Sequence, residues 1–353
     1  MNFASDNWAG AHPRISAGLM DHAAGYAPAY GTSSLDKEVA ETFSRIFERQ
    51  VAVFFVATGT AANALSLTAL SKPGGLSFCH REAHVVRDEC GAAEYLAGGA
   101  RLCAVDGPLG RIDPAGLDTA IGRFMPESVH AGRPAAVSIT QATEAGTVYG
   151  LDDIEAISAT AARYRLPVHM DGARFANALV SLGATPAEMT WKRGIDMVSF
   201  GGTKNGCWCA EAVVLFDPDW AGEFQFLRKR AGQLFSKSRF VAAQFEAYFS
   251  DGLWLETARH ANAMAARLAG HIRESRAARL AWEPQANMVF AILPQPAVAS
   301  LRASGAHFHE QHQPRGFPGG PGAGEVLCRL VTSFATSAGD VDRFAQSLDV
   351  ARQ

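Results

Sequence analysis

Apolar residues fall into short runs separated by longer stretches with helical spacing. Seven runs predict strands, over 52–56, 76–79, 101–104, 135–140, 167–170, 197–200 and 212–216. Several are almost wholly apolar, the pattern of strands covered by helices on both faces. Between them, residues 61–70, 87–98, 114–123, 151–163 and 174–182 predict helices. The helix from 151 opens with Asp152 and Asp153, whose charges suit its positive end. Alternation of strand and helix predicts a mostly parallel sheet with helices on both faces.

After about residue 250 the pattern changes. Residues 254–278 form one long Ala- and Arg-rich helical stretch, followed by strand patterns over 287–293 and 325–332 with a short helix between. The expected fold class is therefore α/β: a large domain with a mostly parallel sheet, and a smaller C-terminal α+β domain. The expected division is 1–250 and 251–353. Residues 307–324, rich in Gly and Pro, predict a loop. Residues 51–70 carry no charge and have the length of a membrane span, but Thr58, Gly59, Thr60 and Asn63 interrupt them. A buried strand, a turn and a helix start account for them better, so no membrane partner is expected.

The chain has 353 residues, 48% of them hydrophobic, enough for two domains of about 150 residues or one large α/β domain with an appendage. A net charge of −3 leaves no basic excess to neutralise a phosphate backbone, which excludes nucleic acid as the main partner. Met1–Asp6 lacks a basic region followed by an apolar run, so no secretory signal is expected. Six cysteines are scattered without a framework, which fits free thiols in a reducing cytoplasm. His307, His309 and His312 sit beside the Gly/Pro loop with no nearby cysteine, and Cys207 and Cys209 lack a second pair, so no metal site is expected.

Two segments carry the strongest chemical signal: 168–174 (VHMDGAR) and 198–206 (VSFGGTKNG), each at the end of an apolar strand. Ligands of open parallel sheets bind beyond the carboxyl ends of the strands, so Asp171 and Lys204 are expected to face one crevice. A pyridoxal phosphate enzyme wants such a pair. Its lysine condenses with the cofactor aldehyde, and its carboxylate keeps the pyridine nitrogen protonated. It also wants a phosphate cup, and Thr58-Gly59-Thr60-Ala61-Ala62-Asn63 follows a strand and opens a helix. Each piece alone has an ordinary structural role: a turn, a helix cap, a solvated lysine. The ordered set is much harder to account for that way.

That set resembles the L-threonine aldolases, which have the aspartate-aminotransferase-like PLP fold. The resemblance runs through Ser5-Asp6-Asn7, Tyr30-Gly31-Thr32, residues 55–63, the motif His84 to Ala92, residues 169–174 and residues 200–206. The Gly-Gly-Thr-Lys-Asn-Gly form is that of the low-specificity subgroup, which includes phenylserine aldolases. It implies Lys204 as the lysine bound to the cofactor and Asp171 as the partner of the ring nitrogen. Gly59 and Thr60 would hold the phosphate, and His84 would stack on the ring near the substrate hydroxyl. Arg174 would bind the substrate carboxylate, with Arg329 as the second carboxylate arginine, or Arg315 in its place. Ser5 would lie near the substrate. Arg230 and Lys237 would reach the phosphate of a neighbouring subunit, in a homodimer or homotetramer with sites at subunit interfaces.

The implied reaction is retro-aldol cleavage of L-threonine, L-allo-threonine or a related β-hydroxy-α-amino acid to glycine and an aldehyde. Catalysis would rest on Lys204, Asp171 and His84. Either His84 or a held water takes the hydroxyl proton, and pKa suitability alone does not choose between them. Two other readings stay open: another PLP enzyme of the same fold (β-eliminating lyase, aminotransferase or racemase), and a catalytically silent PLP-binding protein.

Overall fold

A computed structural model describes residues 1–124, 128–315, 317 and 319–350. Two sheets organise it. The larger contains β1 (Ala52–Val56), β2 (Gly75–His80), β3 (Arg101–Val105), β4 (Arg133–Thr140), β5 (Val168–Gly172), β6 (Met197–Gly201) and β7 (Glu211–Leu215), in the order β1-β7-β6-β5-β4-β2-β3. Neighbours are parallel from β3 across to β6, while β7 runs antiparallel to both β6 and β1. Every residue of β2, β5, β6 and β7 is buried, as their apolar runs predict.

The smaller sheet contains β8 (Arg279–Leu280), β9 (Met288–Pro294), β10 (His309–Gln311) and β11 (Glu325–Val331), all antiparallel, in the order β10-β11-β9-β8. The helix Leu253–Glu274 belongs to both units: Leu253, Trp254 and Ala258 lie in the core of the large sheet, and Ala265, Leu268 and Ile272 in that of the small one. The start of the chain is attached to the small sheet. The Phe3 N–H donates to the His307 carbonyl at 2.8 Å, the Val331 N–H donates to the Phe3 carbonyl at 2.8 Å, and Phe3 packs edge-on against Phe344.

Three expectations are corrected. The helix expected over 87–98 is two short ones, His84–Arg87 and Ala92–Leu96, because Cys90 (φ +52°) and Gly91 (φ +73°) both leave the right-handed region between them. The loop expected over 307–324 contains a strand, since His309–Gln311 pairs with Leu327–Arg329 on the edge of the small sheet. The long helix ends at Glu274 rather than 278, giving way to Ser275 in extended conformation and then to β8. Residues 316 and 318 of the Gly/Pro stretch lie outside the described residues. The helices Pro13–Asp21, Ser34–Ile46, Pro186–Met189, Ala221–Arg230, Arg239–Phe249 and Ala338–Val350 had no sequence expectation.

An aromatic cluster supports β6 where it approaches the site. Phe200 meets Phe43 at 5.2 Å and 82°, and Phe43 meets Phe249 at 4.9 Å and 90°, with Phe175 and Phe245 alongside. Such pairs contribute about 0.5–1.5 kcal/mol each beyond area burial. Next in the chain, Gly201 lies so close to β5 that a Cβ there would stand 2.8 Å from the Ala173 Cα and 2.8 Å from its carbonyl oxygen. Backbone cannot swing aside as a side chain can. Gly201→Ala is therefore expected to lose about 1–3 kcal/mol by urea unfolding, the usual cost of overpacking; an unchanged midpoint would show that the strand ends are not held this tightly.

Candidate active site

The pairing of β5 with β6 sets the geometry. Asp171 lies opposite Ser199 and Gly172 opposite Phe200, so both strands deliver their last residues to one edge. Beyond β6, residues Thr203–Asn205 form a single helical turn carrying Lys204. Asn205 pins that turn from beneath, donating from Nδ2 to the Tyr248 hydroxyl at 2.7 Å and to the Trp254 carbonyl at 2.8 Å. Lys204 is partly buried, and among the described residues its amine has no hydrogen-bond or ion-pair partner. Its charge still bears on Asp6, His84 and Glu211.

Asp171 is buried and held at both oxygens. Oδ1 accepts from the Ala173 N–H at 3.0 Å and Oδ2 from Asn63 Nδ2 at 2.8 Å. Asn63 stands on the helix Gly59–Leu70, whose cap Thr58 accepts from the Ala61 N–H at 3.0 Å. The Gly59 and Thr60 N–H groups, first in that helix, find no acceptor among the described residues. The same Asn63 Nδ2 donates to Glu89 Oε1 at 2.8 Å, and that oxygen lies 2.8 Å from His84 Nδ1. The hydrogen bond to Glu89 raises the imidazole pKa above its ordinary 6.5, against the opposing effect of burial.

On the other side of the site stand two arginines. Arg174 is buried and paired bidentately with Asp6: Nε to Oδ2 at 2.7 Å, Nη2 to Oδ1 at 3.0 Å. Asn287 Nδ2 adds a third hydrogen bond to Asp6 at 3.0 Å. Burial works to raise the Asp6 pKa, but the charges of Arg174 and Lys204 outweigh it and hold the carboxyl below its ordinary value. Arg329, on β11, has a buried Nε with no partner among the described residues. Burial first, and then the nearby charge of Arg174, lowers its pKa. A cavity of about 480 Å³ opens beside it, lined among others by Val86, Asp88, Glu144 and Phe290.

The remaining expected residues divide. Ser5 accepts from the Asn7 N–H at 3.1 Å and caps a short helical turn one residue before Asp6. Arg230 is exposed and paired with Glu223, Lys237 is exposed, and no contact among the described residues joins either to Lys204 or Asp171. Arg228 is the buried member of that basic stretch, lying over the Phe54 ring. His169 is fully buried between the Ser138 and Ser199 hydroxyls at 2.9 Å each, and burial lowers its pKa to about 4, so it stays neutral.

Sequence reasoning assigned no role to Asp6, Asn63, Glu89, Glu144, Glu211 or Asn287. Glu144 bears electrostatically on His84, Arg174 and Arg329. Glu211 is buried beside the Thr203 N–H, and burial raises its pKa to about 7. Asn63 and Glu89 had a local signal, since both fall inside motifs already singled out. Asp6 and Arg174 stand 168 positions apart, and no local pattern announces their pairing.

This donor set suits pyridoxal phosphate: an unpartnered lysine, a fixed carboxylate at the neighbouring strand end, and two free N–H groups opening a helix. The model of the beta-eliminating lyase family matches residues 2–295. The chain belongs to that family. Its cofactor is pyridoxal 5′-phosphate, as in this family of lyases. The chain is 42% identical over 308 residues to the low specificity L-threonine aldolase of Pseudomonas aeruginosa, covering 87% of this chain and 88% of that protein. The solved threonine aldolase of Leishmania major superposes with a TM-score of 0.91 at 28% identity, covering 99% and 98% of the two chains. The serine palmitoyltransferase of Sphingomonas wittichii, at 17% identity, TM-score 0.71 and coverage of 99% and 86%, shares the fold.

Two buried acids of this lyase give stability tests of opposite sign. Asp6, with its pKa lowered, contributes stability that is present above pH 3.8 and lost as pH falls through the folded-state value. Asp6→Asn leaves Arg174 buried without its counter-charge, an expected loss of about 3–5 kcal/mol at neutral pH by urea unfolding. Glu211, raised from 4.5 to about 7, keeps its proton longer folded than unfolded, so stability falls as pH rises through that window. Glu211→Gln is expected to flatten that fall; an unchanged slope would show that Glu211 does not titrate there.

Proposed function

We propose that this lyase cleaves L-threonine, L-allo-threonine or a related L-β-hydroxy-α-amino acid to glycine and an aldehyde. The observation that carries the reading is the unpartnered Lys204 beside the fixed Asp171, with the two arginine groups, Arg174 and Arg329, near each other across the site. The identity to a low specificity L-threonine aldolase supports the choice of reaction.

Pyridoxal phosphate, when bound, supplies an electron sink for the pair released at Cα. In this reading Lys204 would hold the cofactor through its amine, Asp171 would pair with the ring nitrogen, and Gly59 and Thr60 would hold the phosphate. Asn63 and the Ala173 N–H keep Asp171 aimed and charged, because both donate to it. Arg174 and Arg329 clasp the substrate carboxylate, which fixes the Cα–Cβ bond in direction. Arg174 keeps its orientation because Asp6 accepts from its Nε and from one hydrogen of Nη2. His84 takes the β-hydroxyl proton through Nε2, the ring nitrogen not bonded to Glu89. Glycine leaves once Cα is protonated.

We further propose a cytoplasmic homo-oligomer with sites at subunit interfaces, where Arg230 and Lys237 reach the neighbouring phosphate and Ser5 lies near the substrate. Their exposure in the single chain supports this for the two basic residues. The same reading divides the chain near residue 250, with the first residues attached to the smaller unit.

The test is a product assay with L-threonine, L-allo-threonine and L-phenylserine in parallel. Glycine and an aldehyde, without keto acid, are expected, and Lys204→Ala should abolish turnover. Release of a keto acid and ammonia from these substrates would favour β-elimination and contradict the proposal. Asp171→Asn should keep the cofactor yet lose kcat by on the order of 100-fold, as expected for a preorganised charge. Arg329→Ala should act mainly on KM for the amino acid; an unchanged KM would move the second carboxylate contact to another arginine.

A further inference from the structure

Glu89 has been given no role of its own, yet its side chain is wholly inaccessible and sits between Asn63 and His84, both of which belong to the site. It reaches the site because Cys90 and Gly91, with positive φ, break the helix that its neighbours would otherwise form. One oxygen, Oε1, takes both hydrogen bonds, from Asn63 Nδ2 and from His84 Nδ1, each at 2.8 Å. Asn63 Nδ2 has two hydrogens. One goes to Glu89 and the other to Asp171 Oδ2, also at 2.8 Å. The result is an unbroken chain, Asp171–Asn63–Glu89–His84.

We propose that Glu89 is a positioning residue, which locks the neutral His84 ring with its hydrogen on Nδ1 and Nε2 open as acceptor, and that Asn63 ties this imidazole to Asp171. The kinetic part rests on the reading of His84 as the base.

Hydrogen-bond chemistry leaves little freedom here. Burial raises the Glu89 pKa, against the hydrogen bonds from His84 and Asn63 that favour its charged form. Once ionised it only accepts, so His84 Nδ1 carries the hydrogen of their bond and a neutral ring has its lone pair on Nε2. Asn63 cannot exchange its amide ends, because Oδ1 would then point at two acidic oxygens. Two buried atoms remain without partners among the described residues, Glu89 Oε2 and Asn63 Oδ1. Unpaired buried acceptors destabilise the fold, so a purely structural role accounts for this cluster poorly. Three carboxylates bear on the His84 charge: Glu89 from its own segment, Glu144 from the loop after β4 and Asp171 from β5. Lys204, after β6, opposes them. The acids prevail, so His84 becomes a free base only above its ordinary titration range.

The tautomer can be read directly in the holoenzyme labelled with [15N]histidine, with the His84 signals assigned by their loss in His84→Asn. The expected wild-type result is a protonated Nδ1 and an unprotonated Nε2 at pH 8, with a midpoint above 6.5. In Glu89→Gln the midpoint should fall, and the acidic limb of kcat/KM should move to lower pH with it. Turnover should drop about 100-fold, the low end of what a correctly protonated base contributes, while KM changes little. Asn63→Ala should shift the midpoint in the same direction by less. A wild-type ring with its hydrogen on Nε2, or a midpoint unmoved in Glu89→Gln, overturns the proposal without any need for a variant that folds poorly. Full turnover in His84→Asn would overturn the base reading and the kinetic half with it, and the tautomer measurement would still decide the positional half.

Discussion

The close parallel approach of β5 to β6 is the constraint on which the site depends. Register sets Asp171 opposite Ser199 and Gly172 opposite Phe200, so the two strands end at one edge. Gly201 admits the contact because it has no Cβ to meet the Ala173 backbone. An acid and an amine therefore reach neighbouring positions by backbone geometry, before any side-chain interaction between them. The phenylalanine cluster around Phe200 keeps that edge rigid, and Asn205 fastens the lysine turn to Tyr248 and the start of the long helix. Rigid supports of this kind suit a site whose selectivity depends on orientation.

A second constraint joins the parts of the chain. Asp6 arrives from a segment sewn to the small sheet, Arg174 from the end of β5, and Asn287 from just before β9. Their buried hydrogen bonds meet at one carboxylate. A buried pair of this sort adds little net stability compared with apolar packing, but breaking it is costly. Its consequence here is positional: it presents a guanidinium in a fixed direction near Arg329, whose proton affinity is lowered first by burial and then by the charge of Arg174. Two like charges in low dielectric are tolerable when an anion comes between them, which is what an amino-acid carboxylate would do.

Much of this was legible in the sequence. The strands of the large sheet were readable because they are covered on both faces, and β1 (52–56) and the helix Leu151–Arg163 match their expected bounds. Asp171 and Lys204 were readable because each comes at the end of a largely apolar run, and charge at the carboxyl ends of two successive strands marks a ligand crevice. Local conformation defeated the pattern elsewhere. Cys90 and Gly91 break a helix whose spacing looked continuous, and β10 is a short exposed edge strand with no apolar alternation to reveal it. The unexpected helices lie where no strand alternation framed them. Ser34–Ile46 nonetheless had a readable start in the Ser33–Asp36 capping box. Long-range partners such as Asp6 for Arg174 leave no local trace at all.

The central claim is that one lysine, at the end of β6, holds the cofactor opposite the acid of β5. Reduction of the holoenzyme with borohydride, followed by proteolysis and mass mapping, tests it most directly. The account predicts a single pyridoxyl group, on the peptide containing Lys204. Recovery of the label on Lys192, Lys229 or any other lysine, with Lys204 unmodified, would contradict it.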